Sequence, residues 1–305
     1  MKATRLAICS VVVLLLSVGT AGANVVVFDQ GFEVNTDGIV EYPGPVTRVA
    51  SLGGSLKVPS ANGGYHAEVT LSGIDGDGFY TENGGYSPDW PGYIKQSIKV
   101  YMDPTAGQVD DGWWWDAAIS KDGGGWAGAG GFGVRKTGAA TWSLGAEDVY
   151  GGYHFVGNTR APHDNTTPLQ VTAAGWYTLA TEWVESSGDP DLIDQVNTVH
   201  DATGTLLWID TVPDYISKTA DKAQLAYKKT EVAGGMSYSW LASQASDDGT
   251  GWDPHPYEEG TLLYAPANTM ELLAVDDVYA EILPEPATLS LLALGGLALL
   301  RRRRR

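Results

Sequence analysis

From position 93 to 102 the chain reads YIKQSIKVYM, and apolar and polar residues change places at almost every step. Ile94, Ile98, Val100 and Met102 fall on one side of an extended strand, Lys95, Ser97 and Lys99 on the other. A helix repeats its faces every 3.6 residues and cannot carry such a pattern, so the segment is a strand with one side in a core. Asp103-Pro104 closes it. Residues 196–200 and 205–210 flank Asp201-Ala202-Thr203-Gly204, which reads as a hairpin with glycine where the turn wants positive φ. Similar runs occur at 25–33, 65–72, 113–120, 152–157, 176–185, 237–243 and 272–282. Glycine reaches 39 of 305 residues, nearly twice the usual share, and is scattered among aromatic and β-branched segments, as many tight turns require. Turn-separated strands in this number predict an all-β fold, a single jelly-roll-like β-sandwich over residues 24–283. Only residues 213–234 resist: Ile216, Ala220, Ala223 and Tyr227 recur at helical spacing, and a short surface helix or an irregular loop both fit.

The two ends belong to neither sheet. Lys2 and Arg5 precede an apolar stretch at 6–18, and Ala21-Gly22-Ala23 supplies small residues at the distance a signal peptidase needs. Residues 1–23 therefore read as a secretory signal peptide, engaging the secretory translocon and leaving Asn24 as the first mature residue. Cys9, the single cysteine, lies inside it, so the exported chain has no disulfide or thiol nucleophile. At the other end, residues 287–300 are uncharged and contain seven leucines. As a helix they rise about 21 Å against a hydrocarbon core of about 30 Å, which makes a short, transient span. Arg301, Arg302, Arg303, Arg304 and Arg305 follow as a stop that stays on the cytoplasmic side.

Pro284-Glu285-Pro286, the leucine-rich helix and the terminal arginines together resemble the PEP-CTERM sorting signal of exopolysaccharide-producing Gram-negative bacteria. The resemblance covers residues 284–305. It implies recognition by a membrane-embedded exosortase, cleavage near the Pro-Glu-Pro motif, an inner-membrane intermediate, and delivery of the body to the cell surface or extracellular matrix. Gly31-Phe32-Glu33, Gly63-Gly64-Tyr65-His66-Ala67, Gly175-Trp176-Tyr177-Thr178-Leu179 and Ala274-Val275-Asp276-Asp277-Val278 are similar to segments in the jelly-roll bodies of other such proteins.

Charge narrows the partners. The full chain carries −18; without Lys2, Arg5, the terminal arginines and Glu285, 12 basic residues face 36 acidic ones and the body stands at −24. That sign argues against nucleic acid and an anionic lipid surface as partners and makes divalent cations the plausible ligands. Asp75-Gly76-Asp77 and the Asp276-Asp277 pair are the candidate ligands for Ca2+, since glycine turns let closely spaced carboxylates converge; for each pair a solvated turn or strand edge is the more common account. No twelve-residue EF-hand is completed.

Asp111-Gly112-Trp113-Trp114-Trp115-Asp116 is the most conspicuous internal motif. On a strand Trp113 and Trp115 share a face, and they either stack on sugar rings or fill the core. Gly128-Ala129-Gly130-Gly131-Phe132-Gly133 satisfies the dinucleotide fingerprint literally, but Val134-Arg135-Lys136 opens no helix after it. Glu182 and Glu185, three apart, point to opposite faces of a strand and cannot flank one bond. No catalytic motif emerges, and His66, His154, His163, His200 and His255 stand singly. The expectation is an exported, non-enzymatic surface or matrix protein whose sandwich binds exopolysaccharide. A glycan hydrolase or lyase on the same scaffold, and an inert adhesive component, are the alternatives.

Overall fold

The computed structural model describes residues 24–42, 44–71, 78–81, 83, 85–86, 92–107, 111–121, 126–148, 154–155, 167–189, 192–217, 232–243, 268–269 and 272–283. Residues 1–23, read above as a signal peptide, Asp75, Asp77 and the segment from Pro284 to Arg305 lie outside them, as do residues 218–231, most of the stretch with helical spacing. Its two flanks are strands. Among the described residues there is no helix, and none long and apolar enough to cross a membrane.

The strands are, in order, β1 (Val25–Gln30), β2 (Ile39–Tyr42), β3 (Val46–Ala50), β4 (Tyr65–Thr70), β5 (Gly78–Thr81) and β6 (Gly85–Tyr86). Next come β7 (Tyr93–Met102), β8 (Asp111–Lys121), β9 (Trp126–Gly138), β10 (Thr141–Asp148), β11 (His154–Phe155) and β12 (Leu169–Val171). The last are β13 (Gly175–Glu185), β14 (Leu192–Asp201), β15 (Leu206–Ser217), β16 (Val232–Ser243), β17 (Asn268–Thr269) and β18 (Leu272–Leu283). They build two sheets. One runs β15-β14-β13-β7-β18-β4-β3, with β1 also on β18; the other runs β11-β10-β9-β8-β16-β5-β2, with β6, β12 and β17 added at its strands. Strand β18 pairs with β7 along one side, and on its other side first with β4 and then with β1. The expected all-β sandwich is present.

What holds the sheets together is an aromatic layer. Trp113, Trp115, Phe132, Val134, Trp142 and Leu144 of the second sheet meet Ile98, Val100, Met102, Leu179, Val199 and Trp208 of the first, all buried. The rings of Phe132 and Trp208 lie 6.1 Å apart across the interface. A smaller apolar cluster of Ile94, Ile119, Trp183, Ile193 and Ala280 sits toward the other end. Between the two clusters runs a polar belt. Asn83 Nδ2 donates to Gln96 Oε1 at 3.0 Å and to Ser239 Oγ at 2.9 Å, Gln96 Nε2 donates to the Ala118 carbonyl at 3.1 Å, and Thr181 Oγ1 donates to Asn197 Oδ1 at 2.8 Å. Gln96 belongs to one sheet and Ala118 to the other, so the belt ties them by bonds whose loss would strand buried polar groups.

The glycine-rich run is a central strand, β9. A side chain at Gly131 would place its Cβ 1.8 Å from the Trp115 carbonyl oxygen, and at Gly130 it would collide with the buried Gln195. Glycine here permits close backbone approach beside the tryptophans, which explains a fingerprint-like sequence with no nucleotide site.

Trp115→Ala is expected to lower the unfolding free energy by about 3–5 kcal/mol, and Trp115→Phe by clearly less, because the first empties the centre of the interface. Urea denaturation followed by circular dichroism measures both; equal, small effects would show that the layer is not the core.

Candidate functional site

The alternation that buries one side of each strand turns the other side of the first sheet outward, and the register sets those residues in rows. Glu182 of β13, Lys95 of β7 and Glu281 of β18 are direct neighbours in one row. Ala180, Ser97, Tyr279 and Asp29 form the next, from β13, β7, β18 and β1. Thr178, Lys99 and Asp276 form a third, with His200 beside Thr178. In the middle row Ala180 and Ser97 are short, while their neighbours across the rows are long. The result is a pocket of about 260 Å³ lined by Asp29, Ser97, Lys99, Thr178, Asp277 and Tyr279.

Electrostatic pairing fixes the long side chains. Lys95 Nζ stands 3.2 Å from Glu182, and Lys99 Nζ 2.6 Å from Asp277. Tyr279 Oη donates to Glu281 Oε2 at 2.9 Å. Burial pushes the Tyr279 phenol up to about 12, helped by the Glu281 bond and charge and by Asp29. Burial raises Tyr93 as well, with the charges of Glu182 and Glu281 adding to it and Glu182 in hydrogen-bond contact. Both tyrosines therefore stay protonated near neutrality and act as hydrogen-bond donors.

A loop roofs the adjoining end of this face. Residues 51–64 are held down by three carboxylates that accept backbone N–H groups. Glu68 takes those of Ser55 at 2.9 Å and Leu56 at 2.7 Å, and Glu33 takes those of Gly64 at 2.9 Å and Tyr65 at 3.1 Å. Asp276 Oδ2 takes Ala61 at 3.0 Å and Asn62 at 3.3 Å. Trp176 Nε1 donates to the Pro59 carbonyl at 2.8 Å, while Leu56, Val58 and Ala61 pack around Trp176, Tyr101 and Ala274. Gly54 sits at φ +65°, with the Glu68 carboxylate where a Cβ would be, so the loop can bend there only with glycine. The roof ends where the pocket begins.

This geometry corrects several sequence readings. Trp113 and Trp115 are 1 % and 0 % exposed and lie between the sheets, out of reach of any sugar. Trp114, on the opposite face, is also buried, with its ring 4.9 Å from that of Trp240. Asp276 and Asp277 do not converge on a cation. The oxygens of Asp276 meet amide N–H groups, including its neighbour's at 2.9 Å, while Asp277 Oδ2 meets the Lys99 ammonium and the Asn62 amide. Among the described residues no three His, Cys, Asp or Glu side chains are grouped as a metal site needs. Asp277 takes φ +44°, a bulge in β18 that lets both aspartates face outward and keeps Tyr279 and Glu281 on the same side.

Glu182 lies in this outer row, paired with Lys95, and the second carboxylate of the row is Glu281, two strands away, and not Glu185. Asp29, Tyr93, Tyr279 and Glu281 carried no motif. The alternation at 277, 279 and 281 was visible, yet nothing local paired β18 with β7.

No protein-family model matches the chain, and no curated protein does. Solved structures similar to it include a carbohydrate esterase of Shiga toxin-encoding bacteriophage phi24B, at 11 % identity and TM-score 0.42, covering 85 % of this chain and 99 % of that one. The PL-14 alginate lyase of Aplysia kurodai matches at 10 % and 0.42, covering 84 % and 98 %; a Bacillus licheniformis β-glucanase at 10 % and 0.33, covering 86 % and 99 %. Each of these is named as an enzyme, and the sheet sets two carboxylates, Glu182 and Glu281, on either side of Lys95 in one row. The expectation of a non-enzymatic protein is withdrawn.

Burial holds the Asp276 carboxyl up at about 6, against 3.8 ordinarily, with the Asp277 charge adding and the amide bonds opposing. A raised carboxyl favours the folded state when protonated, so its contribution is full below about pH 4 and is lost as pH rises through 6. Between pH 4 and 7 the unfolding free energy of wild type should fall relative to Asp276→Asn by up to about 3 kcal/mol. Urea titrations at the two pH values measure it; an unchanged difference would mean that Asp276 is ionised throughout.

Proposed function

We propose that this is an exported protein whose first-sheet outer face engages an extracellular polysaccharide. The observation that carries the reading is the row structure: charged and hydroxyl groups of Lys99, Ser97, Thr178 and Asp277 surround a pocket on an otherwise continuous sheet, with the Tyr279 ring at its side. Sugars need this combination of directional donors and acceptors with an aromatic plate, and a sheet face is long enough to take several residues of a chain. Export by the translocon, removal of residues 1–23 by signal peptidase and processing at Pro284-Glu285-Pro286 by an exosortase complete the proposal, supported by the three-part sorting layout.

A second reading, hydrolysis of the bound chain, is favoured by one specific arrangement. Glu182 and Glu281 flank Lys95 from neighbouring strands, which separates their backbones by two strand spacings, about 9.6 Å. An inverting mechanism, in which one carboxyl protonates the leaving oxygen and the other activates water, needs carboxyl groups about 6.5–9.5 Å apart, a separation that side chains rising from backbones at this spacing can reach. Elimination initiated by a tyrosinate is disfavoured, because Tyr93 and Tyr279 are both shifted toward the protonated form.

Oligosaccharide binding by calorimetry and reducing-end release test the two readings separately. Loss of cleavage by at least about a hundredfold at saturating oligosaccharide in Glu182→Gln and in Glu281→Gln supports hydrolysis; cleavage that survives both substitutions removes it, and no binding by any glycan removes the first reading. Mass spectrometry of the protein from its native host should give Asn24 as the amino terminus and a carboxyl terminus near residue 284. An intact arginine tail on the mature protein would refute the sorting proposal.

A further inference from the structure

The charge of the pocket region selects among glycans. Asp29, Asp277 and Lys99 line the pocket, and Glu182, Glu281 and Lys95 stand in the row beside it; Asp276, in the Lys99 row, is buried and taken up by backbone amides. Both lysines are committed, to Glu182 at 3.2 Å and to Asp277 at 2.6 Å. Glu281, only 9 % exposed, accepts from a neutral donor, the Tyr279 hydroxyl, and among the described residues forms no ion pair, its row neighbour Lys95 being turned to Glu182. Asp29 lies at the pocket edge close enough for its charge to act on Tyr279. Two negative charges are thus left over beside one pocket, in a body that is itself strongly acidic. A polyuronate would place carboxylates against them; a neutral sugar would leave them without a counter-charge.

We propose that the sugar accepted here carries a free, protonated amino group, as in a de-N-acetylated hexosamine polymer, with its ammonium held between Asp29 and Glu281 and its hydroxyls meeting Ser97, Thr178 and Lys99. The inference rests on the reading of this face as a glycan site. An ammonium is a compact donor of three hydrogen bonds, so it satisfies both carboxylates without displacing the existing ion pairs. Acetylation removes the charge and adds bulk at the place where the two acids stand.

Three hexasaccharides titrated into the full-length protein test it: glucosamine, N-acetylglucosamine and an oligouronate, at about pH 6, where amines hold their protons and most carboxylates have lost theirs. The glucosamine oligomer should bind about tenfold tighter than its acetylated counterpart, and the difference should shrink as salt rises from about 20 to about 200 mM. Asp29→Asn should lower glucosamine affinity about fivefold and leave the acetylated oligomer unaffected; Asp37→Asn, an equal charge change on an exposed loop outside the pocket, should change neither. Equal or tighter binding of the acetylated or uronate oligomer overturns the amino-sugar inference while the glycan reading stands, whatever the variants do. Equal losses in Asp29→Asn and Asp37→Asn overturn it too, since the net charge of the body would then be the attractor. Failure of all three oligomers to bind overturns the inference together with the function proposed above.

Discussion

The structure depends on the dry aromatic layer between the sheets. Trp113, Trp115, Phe132, Trp142 and Trp208 bury the largest apolar surfaces of the interface, and each strand that carries one is thereby committed as to which side faces in. A slip of one residue would turn Lys95 and Lys99 into that layer and Ile98 and Val100 out of it. The rows on the outer face are consequences of this packing. Glu182 faces Lys95, and Lys95 faces Glu281, because Leu179, Ile98 and Val278 must be buried on the other side of the same strands.

Carboxylates have two separate uses on the outer face. Glu33, Glu68 and Asp276 meet backbone amides and clamp one loop over the Trp176 end, a structural use that fully engages their oxygens. Glu182 and Asp277 are paired with lysines, Glu281 with a phenol, and Asp29 is turned to solvent. The boundary between the two groups is the bulge at Asp277, where adjacent aspartates divide the roles between them. Short side chains at Ala180 and Ser97 then open the space that the longer rows enclose.

The legibility of these features in sequence varied with how local their causes were. Strand β7 could be read residue by residue because its alternation is set by one buried side. The belt polarity at Gln96 appeared only as a break in that alternation; its meaning needed Asn83 and Ser239, 13 and 143 positions away. The three consecutive tryptophans promised an aromatic feature but not its location, since exposure depends on which sheet covers them. The glycine run was recognisable as non-nucleotide, yet its role beside the Trp115 carbonyl is a matter of backbone approach between strands. Asp276 and Asp277 looked like cation ligands because their spacing is right; the amides of residues 61 and 62, some 215 positions earlier, decide otherwise.

By itself the sequence determined the all-β character, the inward set of each well-patterned strand and the acidic charge, because these follow from periodicity and composition. Tertiary structure alone decided that the tryptophans are core, that Asp276 is a loop anchor, and that Glu182 meets Glu281 across Lys95. The physical reason is that antiparallel pairing here joins Lys95 to residues 87 and 186 positions away, and the choice of partner strand is made by side chains competing for one buried layer, which no local pattern encodes.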